Sequence, residues 1–181
     1  TYILFTSDHG EMLGDHHLFR KSLPYESSAH VPLFVSGRNV DLPRGECDAL
    51  ATWEDVMPTI LDLAGVPVPE GLDGRSLVPA MRGEAPGVRE TIFGYCQGGR
   101  GSNYYLVHGD WKYIWLNQTN EEQLFNLADD PHELHDLSAD GASLAPLRQI
   151  MAEHTGDMAD VDYAPAQLTP CANQPPRAFW P

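Results

Sequence analysis

Asp8 and His9, followed by Gly10, are the residues of this chain whose types and spacing can do chemistry. Asp8 offers a hard carboxylate and His9 an imidazole lone pair, while Gly10 lets the backbone turn close to whatever they hold. Such a set suits a divalent metal. The same Asp-His-Gly also suits a plain strand-to-loop turn, in which the polar side chains satisfy the backbone. Around it, Glu11, Asp15, His16, His17, Arg20 and Lys21 place ionisable groups of both signs in one loop, more than a solvated turn requires.

The element that must position this loop is the run Tyr2-Ile3-Leu4-Phe5, which breaks abruptly into Thr6-Ser7-Asp8-His9. That pattern predicts a buried strand of an α/β sheet, delivering polar side chains to its carboxyl end, where ligands gather. A chain whose first residues read as an interior strand is expected to have its true amino terminus upstream, so the cellular compartment stays open. Pro24 to Ala29 predicts a short helix with Ser22 as its cap, and Val31 to Val35 a second buried strand. Thr52 or, better, Asp55 caps a helix in which Val56, Ile60, Leu63 and Ala64 form an apolar face, stopped by Gly65 and Pro67. Leu72-Asp73-Gly74-Arg75 is expected as a turn that seats a helix over Ser76 to Met81.

Beyond Gly83 to Arg89 the period changes from helical to alternating. Thr91 to Tyr95, Tyr104 to His108, Trp111 to Leu116 and Gln123 to Asn126 predict four strands of an antiparallel meander, with a tight hairpin at Gly109-Asp110. Leu144 to Glu153 supplies an amphipathic helix for one face of that sheet. His108, His132, His135 and His154 are expected as surface or structural histidines, not metal ligands.

Composition narrows the function classes. The 181 residues carry a net charge of −15, which disfavours binding to nucleic acid or anionic membranes without excluding a local cationic pocket for one anion. Nothing reads as a membrane span. Cys47, Cys96 and Cys171 are too few and too scattered for a disulfide framework or structural zinc.

Ser7-Asp8-His9-Gly10-Glu11-Met12-Leu13-Gly14-Asp15-His16, then Lys21, Pro24-Tyr25-Glu26 and His30-Val31-Pro32-Leu33, resembles the carboxyl-terminal half of a type I sulfatase of the alkaline-phosphatase-like superfamily. Asp48 to Pro79, Gly109-Asp110-Trp111-Lys112-Tyr113 and Leu124-Phe125-Asn126-Leu127-Ala128-Asp129-Asp130-Pro131 extend the likeness over roughly residues 1 to 140. The resemblance implies an α/β fold: residues 1–86 as the end of a catalytic α/β sandwich and 87–155 as a small antiparallel-sheet subdomain with a packed helix, while 156–181, which it leaves unassigned, read as an extended tail from their several prolines. It implies Asp8 and His9 as metal ligands, Lys21 as a contact to the sulfate group, and a sulfate-ester small molecule or glycan as substrate. His17 and His30 stand where many relatives have Gly and Arg, although iduronate-type sulfatases also show His-Val-Pro-Leu. His17 and Phe19 are therefore candidates to line a substrate subsite.

Calcium is the metal that the resemblance implies, and it takes roughly six to eight oxygen ligands, so two side chains form only part of a site. An imidazole is unusual for so hard a cation, which leaves magnesium, manganese or zinc open. The formylglycine nucleophile of type I sulfatases arises from Cys or Ser in Cys/Ser-x-Pro-x-Arg, and no such motif occurs here. The nucleophile and paired aspartates are thus expected in a missing amino-terminal half, with this chain inactive alone. A phosphonate monoester hydrolase or phosphodiesterase of the same superfamily, and a non-catalytic sulfatase-like module, are the competing functions.

Overall fold

The computed structural model describes residues 1–96, 103–117, 119–155, 163–164 and 167–168. They form a mixed α/β structure in two compact units, Thr1–Asp8 with Val31–Ile92, and His9–His30 with Phe93–Pro181. Cys171 and nearly all of the expected tail lie outside the described residues, apart from Tyr163–Ala164 pairing antiparallel with Gln167–Leu168.

In the first unit, β1 (Tyr2–Thr6) pairs antiparallel with β2 (Leu33–Gly37), Tyr2 opposite Gly37 and Thr6 opposite Leu33. The second strand starts later than the sequence suggests and runs on through Gly37, because Tyr2 supplies it with a partner there. Exposure alternates along both strands, which corrects the expectation of buried ones. Ile3 is 59% and Phe5 51% exposed, and the Phe5 and Phe34 rings stack at 4.9 Å on the open face. Among the described residues no second layer covers that face.

A 3-10 turn over Trp53–Asp55 leads into α1 (Val56–Leu63). Its inward side is not the expected apolar face: Ile60 is 48% exposed, and Asp55, Pro58 and Thr59 are buried. Asp55, Thr59 and Asp62, at i, i+4 and i+7, instead form a polar ladder. The Asp55 carboxylate accepts the backbone N–H of Arg75 at 2.8 Å and pairs with Arg89; Thr59 Oγ1 accepts the Leu77 N–H at 3.0 Å; the Ser76 hydroxyl donates to Asp62. Each buried acceptor is matched by a donor, so the ladder clamps the Gly74–Leu77 turn without an unpaired charge. A Cβ on Gly74 would collide with the Glu54 carbonyl, which is why glycine stands in that turn. The ladder seats α2 (Val78–Met81), as the turn reading anticipates. Asp55 stands at the N-cap position of α1, as preferred, and its carboxylate accepts the Thr52 N–H at 2.8 Å, forming a capping box with Thr52 at the start of the preceding turn.

The second unit is built on a meander in the order β3 (Thr91–Cys96), β4 (Asn103–His108), β5 (Trp111–Leu116) and β6 (Glu121–Asn126). The register sets Tyr104 opposite Trp115, and Tyr113 opposite both Leu106 and Leu124. That face meets α3 (Gly141–Thr155) through Leu144, Leu147 and Met151, in one cluster with Phe93, Trp111 and Ile150 at its margin. Tyr104 and Trp115 stack at 5.4 Å.

The opposite face is covered as well, which the alternation did not reveal. Lys112, fully buried on β5, meets a short helix α4 (Glu26–Ala29): its Nζ donates to Glu26 Oε1 at 2.7 Å and lies 2.8 Å from Glu133 Oε1. Glu133 Oε2 accepts the Glu26 N–H at 2.7 Å and so caps that helix. Its N-cap residue is Tyr25, and Ser22, the expected cap, lies outside with a φ of 75°. The Tyr25 hydroxyl donates to Gln123 of β6 at 2.9 Å. His30 closes the cluster, its Nδ1 2.7 Å from Glu26 Oε2.

Burial opposes ionisation of Glu26, yet the His30 contact and the Lys112 ammonium outweigh it and bring the carboxyl down to about 2 from 4.5. The bond to Glu26 raises the His30 imidazole above its ordinary 6.5, against a smaller effect of burial. Lys112→Met leaves two carboxylates facing each other without a cation, and is expected to cost about 3–5 kcal/mol in denaturant unfolding; an unchanged midpoint would remove the pair from the framework. The linkage runs in two directions. The raised His30 contributes stability that is complete below 6.5 and fades as pH climbs through its higher folded value. The depressed Glu26 contributes above 4.5 and is lost as pH falls toward about 2. Melting temperature should therefore be highest between those limits, and His30→Gln should flatten its alkaline slope and move the acid limb to higher pH, because His30 also helps to hold Glu26 down.

Candidate functional site

The site loop runs from the end of β1 to α4, and two anchors hold its beginning. In the first unit the Trp53 indole N–H donates to Ser7 O at 2.9 Å, fixing the backbone just before the exposed Asp8. In the second, Gly10 N–H donates to Ser28 O at 2.9 Å and Glu11 N–H to Ser27 O at 2.8 Å. A Cβ on Gly10 would collide with the Ser27 carbonyl, so glycine is required there by close approach and not by a left-handed φ.

Past Glu11 the loop closes on itself. Met12, fully buried, pins its centre, and Met12 N–H donates to Arg20 O at 2.9 Å across its neck. Gly14 N–H reaches Leu18 O at 2.8 Å, and the Ser27 hydroxyl bonds the Asp15 carboxylate. His16 stacks on Tyr25 with ring centres 4.2 Å apart. Leu13, His16, His17, Arg20 and Ser22 all adopt positive φ, between 49° and 75°. Each such non-glycine residue costs on the order of 1 kcal/mol, and a run of them persists only where the surroundings fix the backbone.

This strained neck presents Lys21 to His9. Lys21 Nζ lies 2.8 Å from His9 Nε2, and His9 Nδ1 lies 2.7 Å from Gly10 O. The carbonyl can only accept and the ammonium only donate, so Nδ1 carries the hydrogen and Nε2 the lone pair. His9 thus holds an electron pair available in principle to a cation, beside a mobile positive charge. His17 is exposed at the turn, with Phe19 60% and Leu13 80% exposed nearby in sequence.

By type, the Asp8 carboxylate and His9 Nε2 are both donors that a divalent cation accepts. They do not complete a site: among the described residues no group of three or more His, Cys, Asp or Glu is placed to hold one. His132, His135 and His154 lie at the surface, His154 stacked on Phe93 at 5.4 Å. Among the described residues no helix is long and apolar enough to cross a membrane. The residues that sequence reading missed are those behind the loop, Glu26, Lys112 and Glu133. The Gly-Asp-Trp-Lys-Tyr motif contains Lys112, but only the register shows it flanked by Val107 and Phe125 on a covered face.

Comparison with known proteins identifies the family and the fold. A family described as N-sulphoglucosamine sulphohydrolase, C-terminal, matches residues 14–161. An arylsulfatase of Clostridium perfringens is 41% identical over 140 residues, covering 76% of this chain and 29% of that protein. A solved structure of a protein in complex with its substrate D-glucosamine-2-N,6-O-disulfate aligns at 26% identity with a TM-score of 0.75, over 90% of this chain and 35% of the other. A phosphonate monoester hydrolase from Silicibacter pomeroyi aligns at 27% identity with a TM-score of 0.66, over 88% and 35% of the two chains. The chain spans less than a third of the length of the curated relatives it matches. It belongs to the N-sulphoglucosamine sulphohydrolase C-terminal family, and corresponds to the carboxyl-terminal part of a sulfatase of the alkaline-phosphatase-like fold.

Proposed function

We propose that the protein carrying this chain is a sulfuric ester hydrolase, and that the chain contributes part of its metal and sulfate site. The observation that carries this reading is the 2.8 Å approach of Lys21 Nζ to His9 Nε2, which sets a cation for an anionic ester beside a donor for a metal. A sulfate ester spreads negative charge over its oxygens, and cleavage moves charge onto the leaving oxygen. Asp8 and His9, adjacent in sequence, are the proposed ligands, with the remaining donors supplied from outside this chain. A divalent cation held there would polarise the ester and stabilise the developing charge; calcium is the first choice, with magnesium, manganese or zinc as alternatives. Lys21 neutralises a sulfate oxygen as a point charge on a flexible stem. His17, with Phe19, lines the adjoining subsite. The nucleophile belongs to a formylglycine motif that this sequence lacks.

The substrate class is a sulfated small molecule or glycan, a reading supported by the sulfated glucosamine bound in a structural relative. A second reading, hydrolysis of phosphonate monoesters, is favoured by the alignment with the phosphonate monoester hydrolase, but curated sequence similarity runs to arylsulfatases, at 41%.

Asp8→Ala in the complete enzyme should lose bound metal and activity together. Lys21→Ala should retain metal and fall about a hundredfold or more in kcat/KM for an aryl sulfate, the scale of one lost charge-stabilising contact. Full activity in both variants would dismiss the assignment. Assayed side by side, an aryl sulfate should be preferred to an aryl phosphonate; the reverse preference would keep the ligands and change the reaction, and activity on neither would favour a binding module.

A further inference from the structure

His9 has one lone pair to give, on Nε2, and the Lys21 ammonium lies 2.8 Å from it. The same electron pair cannot accept an ammonium hydrogen and coordinate a metal at once. We propose that Lys21 is a charge latch on His9: without a metal the ammonium holds Nε2, and a divalent cation entering there displaces it, releasing Lys21 toward an anionic ester. The inference rests on the metal reading of Asp8 and His9 above, and goes beyond it in coupling metal occupancy to the position of the sulfate-binding cation.

The backbone around Lys21 suits such an exchange. Arg20 and Ser22 flank it at φ of 72° and 75°, and the Met12 N–H to Arg20 O bond at 2.9 Å closes the neck. The Cα of Lys21 is therefore held, and movement is left to the side-chain torsions. Because the side chain is exposed, the displaced ammonium remains in water and its release carries no desolvation penalty. Nδ1–H stays on Gly10 O throughout, so the exchange moves no proton between residues. Two effects then oppose metal binding in the resting form: competition for the lone pair, and repulsion between the ammonium and a divalent cation.

The test is calcium titration calorimetry on the complete protein, comparing wild type, Lys21→Met, Lys21→Arg, Asp8→Ala and His9→Ala, with thermal melts to verify folding. Lys21→Met should bind calcium about tenfold more tightly, the scale of one like-charge contact in a water-screened setting. Lys21→Arg keeps the charge and should stay near wild type, and added salt should shrink the gap between Met and wild type. If Asp8→Ala and His9→Ala lose calcium but Lys21→Met binds no more tightly than wild type, the latch is overturned and the metal reading survives. If Asp8→Ala and His9→Ala bind calcium as wild type does, the metal reading falls and the latch with it.

Discussion

A buried ammonium is the constraint on which the second unit depends. Lys112 has no exposed surface, and an isolated charge in that position would be untenable. It is tolerable because Glu26 and Glu133 approach it at 2.7 and 2.8 Å, from α4 and from the turn after β6. Neither carboxylate comes from the strand that carries Lys112, so the chain segments must converge before the charge can be buried. The cluster therefore acts less as a source of net stability than as a registration device, since a hydrophobic replacement of the whole cluster at matched volume can pack as well but names no partners. One misplaced segment leaves a bare charge. With His30 protonated, two cations meet two anions, which ties the electrical balance of the cluster to its most exposed member.

From that cluster the site loop inherits its geometry. Glu26 begins α4, Glu133 caps it, and Ser27 and Ser28 on that helix accept the Glu11 and Gly10 N–H groups that start the loop. The path from Lys112 to His9 is thus a short series of backbone anchors, with Gly10 fitted so closely that no side chain is admitted. Left-handed residues can be held along the neck because both of its ends are fixed this way. The strain is local, and it is borne by packing on the sheet.

Much of this was legible in the sequence. Alternation and turn chemistry locate β5 at its observed bounds and the Gly109-Asp110 hairpin between its neighbours, because strand period and tight turns are local properties. Asp8 and His9 stand out by residue type, whereas Lys21 is singled out only by the resemblance to sulfatases. What failed were faces and partners. The helix from Val56 was assigned an apolar inner face, yet Asp55, Thr59 and Asp62 turn inward because the Gly74–Leu77 turn supplies their donors. That turn lies 12 or more residues downstream, and helical periodicity cannot see it. The strand from Tyr2 reads as buried by composition, whereas burial depends on layers that its own residues do not specify. Lys112 reads as the solvent side of an alternating strand until a second layer is placed over it.

The two lysines show why residue type alone underdetermines role. Lys112 and Lys21 carry the same charge, but one is enclosed by two carboxylates and the other stands in water at a histidine. Enclosure makes Lys112 immobile: moving its ammonium would expose two buried anions to each other, so it can serve structure and little else. Exposure makes Lys21 cheap to move, which is what the proposed exchange between a metal and an anionic ester requires of it. A fold that buries one lysine to fix a loop and keeps the other in water at its neck separates positioning from the proposed binding role, and each can then be altered without the other.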